Sequence, residues 1–413
     1  VTVPTVTIDG VDVTNVCVSG SWTRRLNRPS QAQVRIPMQE ATDTVGQRLK
    51  IEIPSGTGTE IVFHGMILLT ETDTGEDTGY TVYNATDPME LWAWRPVRDS
   101  TGDFSKPDIN NLDGVTLTGP SMVEAMLNNT QTAGGGPPSD AEGDIFLDLG
   151  TFEAGGVDLT GAPADWPMTI AELVSVLVST GELDVIITPT DPGGGVMGTV
   201  DCYNGDYGQN LASSVAFQYG MGAFNVRRLR WNEDMTNMVN KYWLYAGPRI
   251  ATAADPAGDQ HWCFNVTGDD PNLAYPPGGA LSPPASATNN QLGVQLFDSR
   301  DTYGVRMLVD IFDAVDDDCI TGVGTPGRDL FRRRWQIFSW GASIPRELIH
   351  ITPTRETEIG SFDIGDLVLV EATTAVRGGF SGVQRVYEYT VSWDEDGVLA
   401  LSELQTSSDM EGV

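Results

Sequence analysis

The residues of this chain that could do chemistry are scattered, and their spacing counts against each reaction they would serve. His64, His261 and His350 are the only histidines, and none stands in an HExxH or HxH arrangement that brings two imidazoles onto one metal. His64 follows Phe63 in an alternating segment and is expected to be a packed or interfacial ring. No glycine-rich run leads into Lys-Ser or Lys-Thr to cradle a phosphate, and no Gly-X-Ser-X-Gly elbow presents a nucleophile. Glycoside hydrolysis needs only two carboxylates at the right separation. With 57 acidic residues such a pair can be nominated anywhere, so no nomination carries weight. The run Asp313-Ala314-Val315-Asp316-Asp317-Asp318 offers oxygens suited to calcium but lacks the glycine and distal glutamate of a calcium loop; its alternative is a solvated turn. Cys17, Cys202, Cys263 and Cys319 have no short paired spacing and read as buried structural thiols. No catalytic residue, metal or cofactor is expected, and the chain is read as a non-enzyme.

The basic residues carry more information. Against 57 acidic residues stand 24 basic ones, a formal net charge of -33, and Lys50, Lys106 and Lys241 are the only lysines. Neutralising phosphates needs a positive surface, so general binding of nucleic acid is disfavoured. Two arginine clusters stand out, Arg227-Arg228-Leu229-Arg230 and Arg332-Arg333-Arg334. Strand alternation sends Arg228 and Arg230 to one face, whereas Arg332, Arg333 and Arg334 on a helix splay over about 200°. These five are candidate subunit contacts, where arginine suits carboxylate recognition; pairing with the chain's own acidic surface is the alternative.

The elements that would position these groups come in a repeated order. Near the start, Val45-Gly46-Gln47-Arg48-Leu49-Lys50-Ile51-Glu52-Ile53 alternates as a strand, then Phe63-His64-Gly65 leads into Met66 to Leu69, a glycine-containing turn, and Gly79 to Tyr83. Near the end, Ile364-Gly365-Asp366-Leu367-Val368-Leu369-Val370-Glu371 is followed by Phe380-Ser381-Gly382, Val383 to Val386, Tyr389 to Val391, a turn at Asp396-Gly397, and Val398 to Leu401. Both copies place a glycine before an alternating strand, a Phe-X-Gly step before the next, and an acidic hairpin turn after it.

Between these units Thr169-Ile170-Ala171-Glu172 fits a capping box, with helical spacing through Val178. Ser121-Met122-Val123-Glu124 offers the same start to a shorter helix. Asp87-Pro88 starts a short helix whose Leu91 and Trp94 share a face, closing the first unit. Thr132 to Gly143 reads as a connector, Ala251 to Asn290 as a long Pro/Gly-rich surface excursion, and Asp329 to Trp340 as helical. The fold class expected is α+β and β-rich, with two similar small antiparallel β-barrel domains bracketing an inserted α/β region. The divisions fall at 1–95 for the first barrel, 96–225 for an α/β middle domain, 226–345 for a strand and helix region carrying the loop 251–290, and 346–413 for the second barrel. No stretch has the roughly 18 apolar residues of a membrane span, and Val1-Thr2-Val3-Pro4 shows no signal peptide, so a soluble chain is expected.

The order of the strand Phe63 to Leu69, the hairpin, Tyr80 to Ala85 and the Asp87-Pro88 aromatic turn resembles the first domain of baseplate or tail-tip hub proteins of tailed phages. Val226 to Tyr245 looks like their middle region, and Ile364 to Val368 through Arg385-Val386 to Leu401 resembles their second barrel. The resemblance implies a homotrimer whose six barrels form a pseudo-sixfold ring. That ring would join the sixfold tail tube or distal tail ring to the threefold tip and line or close the DNA exit channel. Implied partners are the distal tail or tail-tube ring protein, the tape-measure protein, and tail fibre or tip proteins. DNA would pass without specific binding, and the location would be the virion tail tip after synthesis in the host cytoplasm. With nothing after the second unit, any peptidase or fibre domain would come from a partner. The edge strands are expected to be covered by neighbouring subunits. The alternative is a cell-surface glycan hydrolase or carbohydrate-binding protein, loosely supported by ten tryptophans; Trp92, Trp94, Trp231, Trp243 and Trp335 lie in patterned segments and read as core.

Overall fold

The computed structural model describes residues 3–41, 45–55, 58–74, 79–97, 118–132, 146–156, 169–179, 183–205, 207–220, 225–234, 241–246, 292–295, 306–312, 346–354, 359–373 and 379–407. The Asp313 to Asp318 run, Arg332 to Arg334, the Ala251 to Asn290 excursion, the Asp329 to Trp340 segment, His261, Cys263 and Cys319 lie outside these residues.

In chain order the first strands are β1 (Thr5–Ile8), β2 (Val11–Asp12), β3 (Ser19–Arg25), β4 (Gln31–Pro37), β5 (Arg48–Ser55), β6 (Gly58–Asp73) and β7 (Tyr80–Thr86). The helix α1 (Gly119–Thr132), β8 (Leu147–Phe152), α2 (Ile170–Ser179), β9 (Asp184–Pro189) and β10 (Gly198–Tyr203) follow. Then come β11 (Ala216–Tyr219), β12 (Val226–Asp234), β13 (Lys241–Ala246), β14 (Leu292–Gln295) and β15 (Met307–Phe312). The last are β16 (Arg346–Pro353), β17 (Leu367–Ala372), β18 (Phe380–Trp393) and β19 (Leu399–Ser407). The fold is α+β and β-rich. One large sheet runs β12-β16-β19-β18-β3-β4-β7-β6-β5-β1-β2, with β17 and β11 branching from β18. Two three-stranded sheets, β8-β10-β9 and β14-β13-β15, stand apart from it.

The large sheet contains the same five-stranded arrangement twice. β3-β4-β7-β6-β5 recurs as β12-β16-β19-β18-β17. The first half of β6 pairs with β5, Arg48 opposite Met66 through Ile51 opposite Phe63; β18 meets β17 in the same way, Leu367 opposite Arg385 through Val370 opposite Gly382. Gly46 and Gly365 both sit at positive φ, 86° and 85°, where a side chain would be strained. Each forms a clasp with its long strand. Gly46 N–H donates to Ile67 O at 2.8 Å and Ile67 N–H donates to Gln47 O at 2.9 Å; Gly365 and Val386, then Val386 and Asp366, repeat these bonds at 2.8 and 2.9 Å. Directly after the clasp both long strands bulge, between Ile67 and Leu69 and between Val386 and Glu388. A rung of partners then crosses four strands in each copy: Ile67, Ala85, Ala32 and Trp22 in one, Val386, Thr406, Ile349 and Trp231 in the other.

The Phe-X-Gly steps differ from the expected placement. They lie inside β6 and β18 rather than before a strand, and they are two residues out of step, since Phe63 faces Ile51 whereas Gly382 faces Val370. A two-residue slip keeps every side chain on its face, so alternation cannot register it. The device itself is shared, because in both copies the phenyl ring folds over the glycine two residues on. The copies also differ at the margin: β1 runs antiparallel to β5, but β11 runs parallel to β17.

The two units are fused. The second half of β18 pairs antiparallel with β3, from Glu388 opposite Arg25 to Trp393 opposite Gly20. One hydrophobic core spans the seam, from Val34, Leu49 and Tyr83 to Ile349, Val368 and Leu404, with the Trp22 and Trp393 rings 6.0 Å apart across the junction.

Asp87 caps the turn Pro88–Trp94, its carboxylate accepting from Met89 N–H at 3.0 Å, as its type predicts. The turn is 3-10; Pro88, Met89, Leu91 and Trp92 are buried, while Trp94, expected inside and the last residue of the turn, is 67% exposed. The capping box of α2 is present: Thr169 N–H donates to Glu172 at 2.6 Å, and Glu172 N–H returns to Thr169 Oγ1 at 3.2 Å. α1 begins two residues before the expected start and is the longer helix. Thr118 precedes it with its N–H bonded to Ser121 Oγ, and Pro120 falls in the first turn, where no N–H is needed. β19 continues past Leu401 to Ser407 because its end pairs with β16 as well as β18.

Candidate functional site

Three parts of the chain meet on one buried ion pair. Arg385 of β18 places Nη2 2.5 Å from Asp184 Oδ2 at the start of β9, and both side chains are 3% exposed. Nη2 also donates to Tyr207 O at 2.7 Å, and Nε to Gly365 O at 3.3 Å. Asp184 accepts further bonds from Tyr207 N–H and from Asn27 Nδ2, each at 3.0 Å, while Asn27 Oδ1 accepts from Val185 N–H at 2.7 Å. Burial is the largest influence and opposes the charge on Arg385, but Asp184 and Tyr387 together outweigh it and hold the guanidinium above its ordinary pKa. A fully satisfied buried pair of this kind fixes how the elements sit and offers no free group for chemistry. Beside it Asp366 accepts from Gln209 N–H at 2.7 Å and Asp363 N–H at 2.8 Å, and Tyr389 donates to Asp363 at 3.1 Å.

His64, Cys17 and Cys202 are held in the fold. His64 is buried, with Nδ1–H donating to Thr190 O at 2.7 Å, and burial pulls its pKa below the ordinary imidazole value. It is the packed ring expected. Cys17 is half-buried and its thiol is pushed up to about 11 by burial; Cys202 is buried, which raises its thiol well above the ordinary value. Among the described residues, no three His, Cys, Asp or Glu side chains gather as a metal site. Among the described residues, a shallow cavity of about 430 Å³ against β3, β4, β6 and β7 is lined by Ser21, Thr23, Gln33, Asn84 and Leu69 without a carboxylate. A second, about 410 Å³, lies between Trp92 and α2 and holds a single one, Glu90. Neither presents the opposed acid pair of a glycosidase.

Asp87 gives a pH signature. It is buried, and desolvation pushes its carboxyl up to about 6 despite bonds from Ser30 N–H at 2.7 Å and Met89 N–H. The folded state therefore binds this proton more tightly than the unfolded chain, whose value is 3.8. Its contribution to stability is full below the unfolded pKa and is lost as pH rises through about 6. Melting at pH 5 and pH 7.5 should show this contribution at roughly 1–3 kcal/mol in favour of the acid side. Asp87→Asn should remove that part of the pH dependence.

The candidate arginines divide. Arg228 and Arg230 project from β12, the last strand at one end of the large sheet, and both are exposed, while Leu229 between them packs on the core. Arg227 is exposed too, because the ladder slips between Val226 and Arg228 and inserts an extra residue. β12 is thus a sheet edge carrying three exposed arginines in a very acidic chain. Sequence reasoning found Arg228 and Arg230 by alternation but missed the Arg385–Asp184 pair, since an arginine between Gln384 and Val386 carries no mark of burial.

This chain has the fold of phage tail proteins. Solved structures that match it over nearly its full length are a tail protein from Neisseria meningitidis MC58 (TM-score 0.55, 11% identity, 99% of this chain and 97% of that one) and the 43 kDa tail protein of prophage MuSo2 from Shewanella oneidensis (TM-score 0.54, 12% identity, 98% of both). The prophage tail protein gp18 from Listeria monocytogenes EGD-e matches at a TM-score of 0.50 and 10% identity over 99% of this chain and 95% of that one. No family model matches the sequence, and no curated protein does.

Proposed function

We propose that this chain is a structural protein of a phage tail, and within the tail the hub of its tip. The observation that carries this reading is the five-stranded arrangement repeated register for register in one chain, in a fold shared over nearly its whole length with three tail proteins, two of them of prophages. A molecule with two equivalent units can present six from three copies, which suits an adapter between a sixfold tube and a threefold tip. In this reading 1–95 and 346–413, the latter completed by β12, are small β-barrels, 96–225 is an α/β middle domain and the rest of 226–345 carries the remaining strands. The hub docks on a distal tail or tail-tube ring, meets the tape-measure protein, and carries fibres or a tip. Its acidity keeps passing DNA from adhering to the channel. Arg228, Arg230 and Arg332 to Arg334 serve as subunit contacts. Negative-stain images of the purified chain should show threefold rings with a central opening; solitary compact particles would contradict the reading.

A further inference from the structure

The face that α2 turns toward the Pro88–Trp94 turn is built from small residues. Ala171, Val174, Ser175 and Val178 recur at the spacing of one helical stripe, and all four line the cavity of about 410 Å³. Side chains this short leave space between helix and turn, while the longer Ile170, Leu173 and Leu177 are buried. Opposite stand Pro29 and, from the turn, Met89, Trp92 and Ala93. The cavity opens where the turn that closes the first unit meets a helix of the middle region, and small-ligand sites favour such junctions and volumes of about 300–1,000 Å³. Hydrogen bonding sets the chemistry. Trp92 lines the cavity, is 0% exposed, and its Nε1 is buried without an acceptor among the described residues. An indole N–H only donates, and a buried donor left without an acceptor is costly and rare in a folded protein. The amide on the same lining is already in use, since Asn27 gives Nδ2 to Asp184 and takes Val185 N–H on Oδ1. Arg28 and Glu90, of opposite charge, share the lining, so the cavity has no net charge that would select an ion.

We propose that this cavity binds a neutral, largely apolar small molecule whose carbonyl-type oxygen accepts from Trp92 Nε1–H. The apolar walls, Pro29, Met89, Ala93, Val174 and Val178, take the body of the ligand out of water, and the indole fixes its orientation. The unused group is a donor, so the ligand must bring an acceptor; a cation would bring only donors. A peptide strand fits less well, because each of its residues carries a backbone donor as well as an acceptor. Among the described residues, Trp92 Nε1 is the one buried side-chain polar atom of this lining left without a partner. The site stands on the cavity and Trp92, whether or not copies of the chain form a ring.

Acetophenone and ethylbenzene provide the test, since they differ in little more than the carbonyl oxygen. In the full chain isotope-labelled at its tryptophan nitrogens, the Trp92 indole signal in the nuclear magnetic resonance spectrum is the one missing from Trp92→Phe. Acetophenone should move that signal saturably and bind about two- to tenfold more tightly than ethylbenzene. Trp92→Phe keeps the apolar wall and removes the donor, so the two compounds should bind it equally, as read from the ligands' own signals. No saturable shift at Trp92, or equal affinity for both compounds in the unaltered chain, overturns the site. If Trp92→Phe does not fold, Ala171→Phe serves instead, filling the cavity from the helix side while leaving the indole in place. Neither compound should then bind, and unchanged binding overturns the site. Tighter binding of N-acetyl-phenylalanine amide than of acetophenone overturns the small-molecule occupant in favour of a side chain from a partner protein.

Discussion

Replacing Arg385 with methionine should cost about 3–5 kcal/mol, the largest loss expected from any single substitution in this chain. Methionine fills most of the space but leaves Asp184, 2% exposed, as a buried carboxylate facing the gap, and it strips Tyr207 O and Gly365 O of their donor. The cost is the uncompensated charge rather than the net worth of the pair. Asp184→Asn should lose stability for the mirror-image reason, and the double variant should lose less than the sum, since the two singles break one shared interaction. Chemical denaturation followed by circular dichroism checks this, reading the first transition if unfolding proves stepwise. A loss under about 1 kcal/mol for Arg385→Met would mean that the junction of β9, Asn27 and β18 is held by other contacts.

Gly65→Ala and Gly382→Ala should separate sharply although they occupy the same step of a repeated motif. A β-carbon at Gly65 would run into the backbone carbonyl of Thr86, and a backbone atom in a ladder cannot swing away. At Gly382 it would meet the Phe380 ring 2.8 Å away, a side chain that can rotate. Overpacking against a fixed group costs about 1–3 kcal/mol and sometimes more. Gly65→Ala is expected at or above the top of that range and Gly382→Ala below about 1 kcal/mol. Thermal melts of the two variants, side by side, read the difference. Equal losses would mean that the ring over the glycine, and not the β6 to β7 approach, sets the requirement.

The contrast shows how far the sequence can be read. The repeat was legible because its marks are local: a glycine before an alternating strand, an acidic turn, and capping residues such as Asp87, Thr169 and Glu172 whose chemistry fixes where an element begins. The two-residue slip of the Phe-X-Gly step was not, because a period of two hides an even shift. Nor was the seam between β18 and β3, whose partners lie more than three hundred residues apart and differ in no local way from other strands. Trp94 misled because its spacing from Leu91 puts the two on one side of the turn, yet Trp94 is the last residue of that turn and is exposed while Leu91 is buried. For the candidate interface, alternation was enough to place Arg228 and Arg230 outward. Only strand order could show that they lie on the edge whose counterpart in the other copy is covered.

The central claim, that the two units of one chain make a ring with those of its copies, is tested most directly by the molar mass of the purified protein in solution, measured by light scattering over a range of concentrations. A species near three times the 44.5 kDa chain mass is the predicted result. A single species at the chain mass, at every concentration reached, would contradict it.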